Sequence, residues 1–349
     1  MTLMKTIRRA QKVGHSTLTV SLPAEWVKRN GLEKGSPIFF YEEKDGSLRL
    51  HVEPKRIDDE VVIIDADRYE DPLTLAKVVV GNYVLGRSLL KIVSKRRLKR
   101  EQIEVIREVT HRLMGIGIVE TSENHLLLQS SVDPKSFPLS TMLKRLYMIV
   151  STMFKEARDG LIDGDIELSK DAMSREYEAD TTYWLISRLL SSAQQSWITA
   201  QEMGITDPLE IIHASLISRF LEMIGDHSEY IAKKSMELKG LWDDLPGDIM
   251  NLLEQMGSLA FTIIDKAMES IITGDVKVAS DAIKMKKVVE LKENEFLGAL
   301  QDKIRDLKVA TALRSIVWDM KIIVEYSSAI AEIAIDKVLG KTSGSPEAE

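Results

Sequence analysis

Ala157-Arg-Asp-Gly-Leu-Ile-Asp-Gly-Asp-Ile, with Asp171-Ala a little further on, aligns without a gap on Ala267-Met-Glu-Ser-Ile-Ile-Thr-Gly-Asp-Val, with Asp281-Ala after it. The same helix-turn-helix therefore occurs twice, and a repeat found in sequence outweighs any single propensity. In each copy a glycine ends one helix and Asp165 or Asp275 stands where it can N-cap the next. The surrounding chain keeps an apolar period near 3.6, as in Leu143-Lys-Arg-Leu-Tyr-Met-Ile-Val-Ser-Thr-Met-Phe, so everything beyond Pro138 reads as long helices. A third helix follows in each copy, over residues 208–238 and 309–338. The expected architecture is two three-helix bundles in tandem.

The first copy carries two acidic pairs at i,i+4 spacing: Glu176 with Asp180 on its second helix, and Glu222 with Asp226 on its third. Like charges four apart share one helix face and repel. If the second helix ends near Gln194 and the third starts near Asp207, Glu176 and Asp226 lie ~27 and ~28 Å from the connection, and Asp180 and Glu222 lie ~21 and ~22 Å from it. An antiparallel pair then brings four carboxylates to one level, provided the second helix does not run on through residues 196–203. Four converging carboxylates suit a hard or intermediate cation such as Mg²⁺, Mn²⁺, Zn²⁺ or iron, with His227 as an extra ligand or an outer partner. The bland alternative is a solvated acidic face.

Toward the N-terminus the pattern changes twice. Residues 60–132 read as a strand over 60–65, a helix over 72–85, a strand over 88–94, a charged helix over 99–114 and a hairpin from 116–121 and 125–129, a small β-α-β-α-β-β unit. Its basic run Lys95-Arg-Arg-Leu-Lys-Arg either touches phosphate groups or is a solvated loop. Residues 5–52 read as β-β-short α-β-β: Ser16-Thr-Leu-Thr-Val-Ser-Leu alternates, Pro23 opens a turn of helix over 24–30, and an Asp45-Gly46 turn joins two further strands. So small a unit without cysteine rarely stands alone, which points to a dimer.

Charge is uneven along the 349 residues: the net is −7, yet residues 1–31 hold Lys5, Arg8, Arg9, Lys12, Lys28 and Arg29 against Glu25 alone. A basic end on an acidic body suggests a polyanion contacted at that end. The absence of cysteine excludes disulfides, thiolate nucleophiles and the common zinc sets, and it fits a reducing cytosol. No apolar run approaches the ~20 residues that span a bilayer, so a cytoplasmic protein without membrane insertion is expected. No Walker loop, dinucleotide fingerprint or H-E-x-x-H motif is present, and Gly340-Lys-Thr lacks the preceding glycine loop; an enzyme is not expected. Trp184, Trp197, Trp242 and Trp318 read as core and interface packing rather than a cofactor box.

Two resemblances sharpen this. Lys12-Val-Gly-His-Ser-Thr-Leu-Thr-Val-Ser-Leu-Pro-Ala-Glu-Trp, with Gly31-Leu-Glu-Lys-Gly-Ser after it, resembles the AbrB/MazE/SpoVT swapped-hairpin family. That resemblance implies an intertwined dimer whose basic β-surface contacts double-stranded DNA, here through Lys5, Arg8, Arg9, Lys12 and His15. A dimerisation module that lost DNA binding is the alternative. Arg219-Phe-Leu-Glu-Met-Ile-Gly-Asp-His-Ser-Glu-Tyr-Ile-Ala resembles the third-helix signature of the PhoU family, and Glu176-Tyr-Glu-Ala-Asp its acidic motif on the preceding helix. It implies tandem three-helix bundles, acidic motifs that hold multinuclear metal clusters, and a role in controlling phosphate uptake. The pairing of the two looks like an archaeal arrangement of the PhoU family.

On this pattern the metal ligands are Glu176, Asp180, Glu222 and Asp226. The second copy departs from it, because Glu290-Leu-Lys-Glu-Asn294 and Lys321-Ile-Ile-Val-Glu325 stand at the matching positions. An ammonium cannot ligate a cation, and Lys321 is expected to pair with Glu290 or Glu325 instead. The expected division is a DNA-binding and dimerisation domain over 1–56, a small α/β domain over 57–133, helical repeats over 134–240 and 241–340, and a polar tail over 341–349. The expected function is a phosphate uptake regulator that binds DNA. The alternative is an accessory protein that acts on a phosphate-transporter ATPase or another signalling protein without DNA.

Overall fold

A computed structural model describes residues 7–42, 46–52, 61–242 and 245–342. The chain divides into two compact units, Met1–Asp59 and Glu60–Glu349.

The first unit contains β1 (Gln11–Val13) and β2 (Thr17–Thr19), paired antiparallel with Lys12 opposite Leu18, then α1 (Ala24–Arg29), β3 (Ile38–Glu42) and β4 (Leu48–Val52), paired antiparallel with Phe40 opposite Leu50. The element order is the one the sequence predicts. The alternating run 16–22 supplies only three residues of ladder, because a two-stranded ribbon offers each strand a single neighbour. No described side chain of this unit is buried, and Ile7, Val13, Leu18, Val20, Phe40 and Leu48 are exposed. Among its described residues this unit therefore has several exposed apolar side chains and no buried one.

The second unit begins with an α/β layer: β5 (Val61–Asp65), α2 (Pro72–Val84), β6 (Leu89–Val93), α3 (Arg100–Arg112), β7 (Ile116–Thr121) and β8 (His125–Ser130). Strand order is β5-β6-β8-β7, with β5 and β6 parallel and the other pairings antiparallel. One face of the sheet carries the core residues Ile64, Leu90, Ile92, Leu126 and Leu128, while Ile63 on the other face is exposed, the alternation of a one-sided sheet. Asp71 caps α2 by accepting from the Leu73 and Thr74 amides, with Pro72 in the first turn. The basic run 95–100 is the solvated loop leading into α3, anchored by buried Leu98.

The helical part comprises α4 (Leu139–Asp163), α5 (Ile166–Gln195), α6 (Trp197–Glu202), α7 (Pro208–Glu237), α8 (Gly247–Thr273), α9 (Val276–Lys303) and α10 (Leu307–Thr342). Apart from the short α6, these are the two expected three-helix repeats. Gly164 and Gly274 take left-handed conformations, and Asp165 and Asp275 each accept two amides of the following helix. At Gly164 the constraint is double, because a Cβ there would also lie 2.3 Å from Trp242 Cδ1. The repeats share one continuous core, and α7 packs on α10 as α4 packs on α8. Two polar ties cross that seam: the Tyr147 hydroxyl donates to Asp265 at 2.7 Å, and His227 Nδ1 lies 2.8 Å from Asp319 Oδ1. No described helix is long and apolar enough to cross a membrane. Of the four tryptophans named above, Trp184 packs on the α/β core and Trp197 and Trp242 on the helical core, whereas Trp318 is 56 % exposed and lies outside the core.

Candidate functional site: an acidic cluster filled by arginine

The second helix of the first repeat stops at Gln195 because Ser196 turns to extended backbone (φ −140°, ψ 113°) and its hydroxyl oxygen accepts the Thr199 amide at the start of α6. With that boundary fixed, α5 and α7 bring Glu176, Asp180, Glu222 and Asp226 into mutual electrostatic range.

Burial dominates the behaviour of these acids. It pushes the Asp180 carboxyl up to about 7, with the charge of Glu176 adding to the rise and Arg112 opposing it. Burial likewise pushes Glu222 up to about 7, reinforced by Asp226 and opposed by Arg219. Asp226 is raised by burial and then by Glu176.

The partners that compensate this charge are arginines. Arg112, the last residue of α3, sends Nη2 to Asp180 Oδ2 at 2.9 Å and to both Glu176 oxygens at 3.4 Å. Its guanidinium lies between Tyr177 and Trp184, with centroids at 5.9 and 5.5 Å. Arg219 Nη1 donates to Glu222 Oε2 at 2.8 Å. Among the described residues no group of three or more acids or histidines has the geometry to hold a metal ion. With Arg112 on Glu176 and Asp180 and Arg219 on Glu222, the carboxylates as placed do not fit the metal cluster that the PhoU resemblance implies. His227, the candidate extra ligand, is bonded instead to Asp319 of the second repeat.

A second arginine joins the same two layers in the opposite direction. Arg188 on α5 is 3 % exposed, and it donates to the carbonyls of Tyr83 at 2.7 Å and Arg87 at 2.9 Å, where α2 ends. Its guanidinium lies 4.9 Å from the Tyr83 ring centroid. A cation on the last carbonyls of a helix satisfies acceptors that have no partner within it.

In the second repeat Lys321 Nζ lies 2.8 Å from Glu293 Oε2, and Lys286 Nζ lies 2.6 Å from Glu325 Oε2. Lys321 thus has an acidic partner, but it is Glu293 rather than Glu290 or Glu325. The two α9 glutamates are three residues apart, which separates them by about 60° round the helix and by most of a turn along it, and it is Glu293 that comes level with Lys321. In the N-terminal unit Arg8 and Arg9 precede β1, Lys12 lies on it and His15 lies in the turn after it, and all four are exposed. Lys5 lies outside the described residues.

Residues 143–235 match the family model described as PhoU domain, and residues 11–67 match that described as antidote-toxin recognition MazE, bacterial antitoxin. The chain thus holds a segment similar to the PhoU domain behind one similar to the MazE antitoxin. A crystal structure of PhoU from Pseudomonas aeruginosa superposes with a TM-score of 0.52 at 18 % identity, over 58 % of this chain and 96 % of that one. The phosphate transport system regulatory protein PhoU from Streptococcus pneumoniae matches with a TM-score of 0.48 at 16 % identity, over 60 % of this chain and 96 % of the other. No curated protein matches the sequence significantly. The PhoU domain match lies within the first repeat, the one with the complete acidic quartet.

Proposed function

We propose that this protein is a non-enzymatic phosphate-uptake regulator that dimerises through residues 7–52 and binds double-stranded DNA there, while its PhoU domain relays phosphate status. The observation that carries the proposal is the state of the N-terminal unit. Its apolar side chains are unburied in one chain, which a second copy would cover, and Arg8, Arg9, Lys12 and His15 stand exposed around the same ribbon. Cations on a dimeric ribbon meet phosphate on both sides of a two-fold axis. The link to phosphate uptake rests on the PhoU domain in residues 143–235.

The test is binding of the full chain to its own promoter region across a salt series, with sedimentation to establish the dimer. Removing one cation from a phosphate flattens the log–log salt slope by about 0.9, so Arg8→Ala/Arg9→Ala in a dimer should flatten it by up to about 3.6. Binding without salt dependence, or unchanged by that double substitution, would remove the DNA reading.

A specific surface favours a second output. Trp318 and Tyr230 are exposed beside Arg314 in an open groove of about 730 Å³ between α7 and α10. Exposed Trp, Tyr and Arg together are the composition of protein-binding hot spots. Contact with a transporter ATPase or another signalling protein would then use this groove, and Trp318→Ala should weaken it while leaving DNA binding intact.

A further inference from the structure

A cavity of about 310 Å³ shares no residue with the acidic cluster and is lined from both repeats: by α4, α7 and the 203–205 turn of the first, and by α8 and α10 of the second. Its walls are largely apolar, with Leu143, Ile205, Ile217, Met268 and Ile271 among them. The turn is tied to the start of α4, where the Leu139 amide donates to the Met203 carbonyl at 3.2 Å. Exposed Ser140, Thr141 and Lys144 on α4 also line the cavity, so it opens to solvent. Small-ligand sites range from about 300 to 1,000 Å³, and this one, at the bottom of that range, suits an alkyl chain or a small ring.

His213 of α7 is out of character with those walls. It is 9 % exposed, and its Nδ1 is buried without a hydrogen-bond partner. An unpaired buried nitrogen costs stability, and an apolar side chain of similar size would fill the same place without that cost. Two lysines line the same cavity, Lys144 exposed and Lys337 half-buried, against a single acid, Glu210, whose Oε1 accepts from the Thr206 hydroxyl at 2.8 Å. The lining thus carries an excess of positive charge beside an apolar interior. Charge and the unpaired nitrogen call for an anionic acceptor, and the walls call for hydrocarbon behind it.

We infer that this cavity binds a small amphipathic anion, an alkyl monocarboxylate, with its chain between the two repeats and its carboxylate met by His213, Lys144 and Lys337. Donation from Nδ1 satisfies the nitrogen that the protein itself leaves unpaired. Because the walls come from both repeats, a bound ligand adds contacts across their seam and stabilises the helical body as a whole. The inference rests on neither DNA binding nor the acidic cluster.

Calorimetric titration of the full chain with octanoate, octanol and octylamine reads the contributions of chain and charge separately. Octanoate should bind about tenfold more tightly than octanol, the worth of a hydrogen bond to a charged group, and octylamine should bind more weakly than either. His213→Leu should lower octanoate affinity about tenfold and leave octanol affinity as it is, a split that a merely structural change would not produce. Ala214→Leu adds side-chain volume to the cavity wall and should weaken binding of both. Circular dichroism checks folding; if either variant is unfolded, Lys144→Ala/Lys337→Ala carries the test, with octanoate affinity falling several-fold and octanol affinity unchanged. Failure of octanoate to bind the wild type, octanol or octylamine binding as tightly as octanoate, or an octanoate affinity that these substitutions leave untouched would overturn the inference.

Discussion

Replacing Glu222 by Gln removes one charge from the acidic cluster and keeps the size of the side chain. Burial and Asp226 push this carboxyl from 4.5 to about 7 in the folded protein. Between those values the folded state holds a proton that the unfolded chain has lost, so this group's contribution to wild-type stability is greatest below about pH 4.5, falls through the window and is flat above about pH 7. At about 1.4 kcal/mol per pH unit, that window corresponds to a loss of about 3 kcal/mol. Glutamine cannot ionise, so E222Q escapes the loss. It gives up part of the Arg219 contact, which costs under about 1 kcal/mol because that guanidinium is 52 % exposed. E222Q should therefore be more stable than wild type by about 2 kcal/mol at pH 8, with the gain vanishing near pH 4.5. Urea unfolding followed by the helical dichroism signal, at several pH values with chelator in every buffer, measures both quantities. A stability difference between E222Q and wild type that does not grow across this window, or an E222Q protein no more stable at pH 8, would refute the claim that buried like charges and not a bound ion govern this cluster.

Three further substitutions probe what holds the site in place. Arg188→Met leaves the Tyr83 and Arg87 carbonyls without their charged donor and should cost about 3 kcal/mol, seen as an earlier urea midpoint; a loss under about 1 kcal/mol would show the layer is joined by apolar packing alone. Gly164→Ala places a Cβ against Trp242 at a backbone angle of φ +64°, so it should destabilise by more than about 2 kcal/mol and shift the tryptophan emission, whereas a neutral result would mean the α4–α5 turn relaxes freely. Leu18→Asp puts a charge among the exposed apolar side chains of the N-terminal unit and should convert a dimer into monomers in sedimentation; a dimer that survives it is built elsewhere.

What the sequence discloses about this fold follows the range of the interaction. Asp165, Asp275 and the glycines before them act on their own helix ends, and the helix boundaries they mark are where the sequence puts them. The α/β elements emerge within a residue or two for the same reason, since Pro72 and Asp71 start α2 locally. The end of α5 is harder, because apolar periodicity runs through Ser196 and only the backbone turn there decides it. The meeting of Glu176, Asp180, Glu222 and Asp226 follows from helix rise once that end is fixed. Arg112 cannot be found this way. It is 64 residues from Glu176, on a helix of another layer, and nothing in its neighbourhood distinguishes it from the other arginines of α3. The partner of Lys321 escapes the sequence for a smaller reason: choosing Glu293 over Glu290 depends on the rotation of α9, which spacing alone does not give.

The duplication and the arginine together show how the two halves of the PhoU-like body differ. Both repeats keep the caps, the turn glycines and the shared core, so the scaffold is redundant. Their charge is not. In the second repeat Glu293 and Glu325 each have a lysine from the repeat's own helices, and no movement of another layer can alter that balance. In the first repeat four acids face Arg219 of their own helices and Arg112 of the α/β layer, with Asp180 and Glu222 held near neutrality by burial. In this repeat protons and arginines draw on the same carboxylate oxygens, so charge compensation depends on a residue of another layer. The His227–Asp319 and Tyr147–Asp265 ties then join the repeat that depends on Arg112 to the one whose charges are balanced by its own lysines.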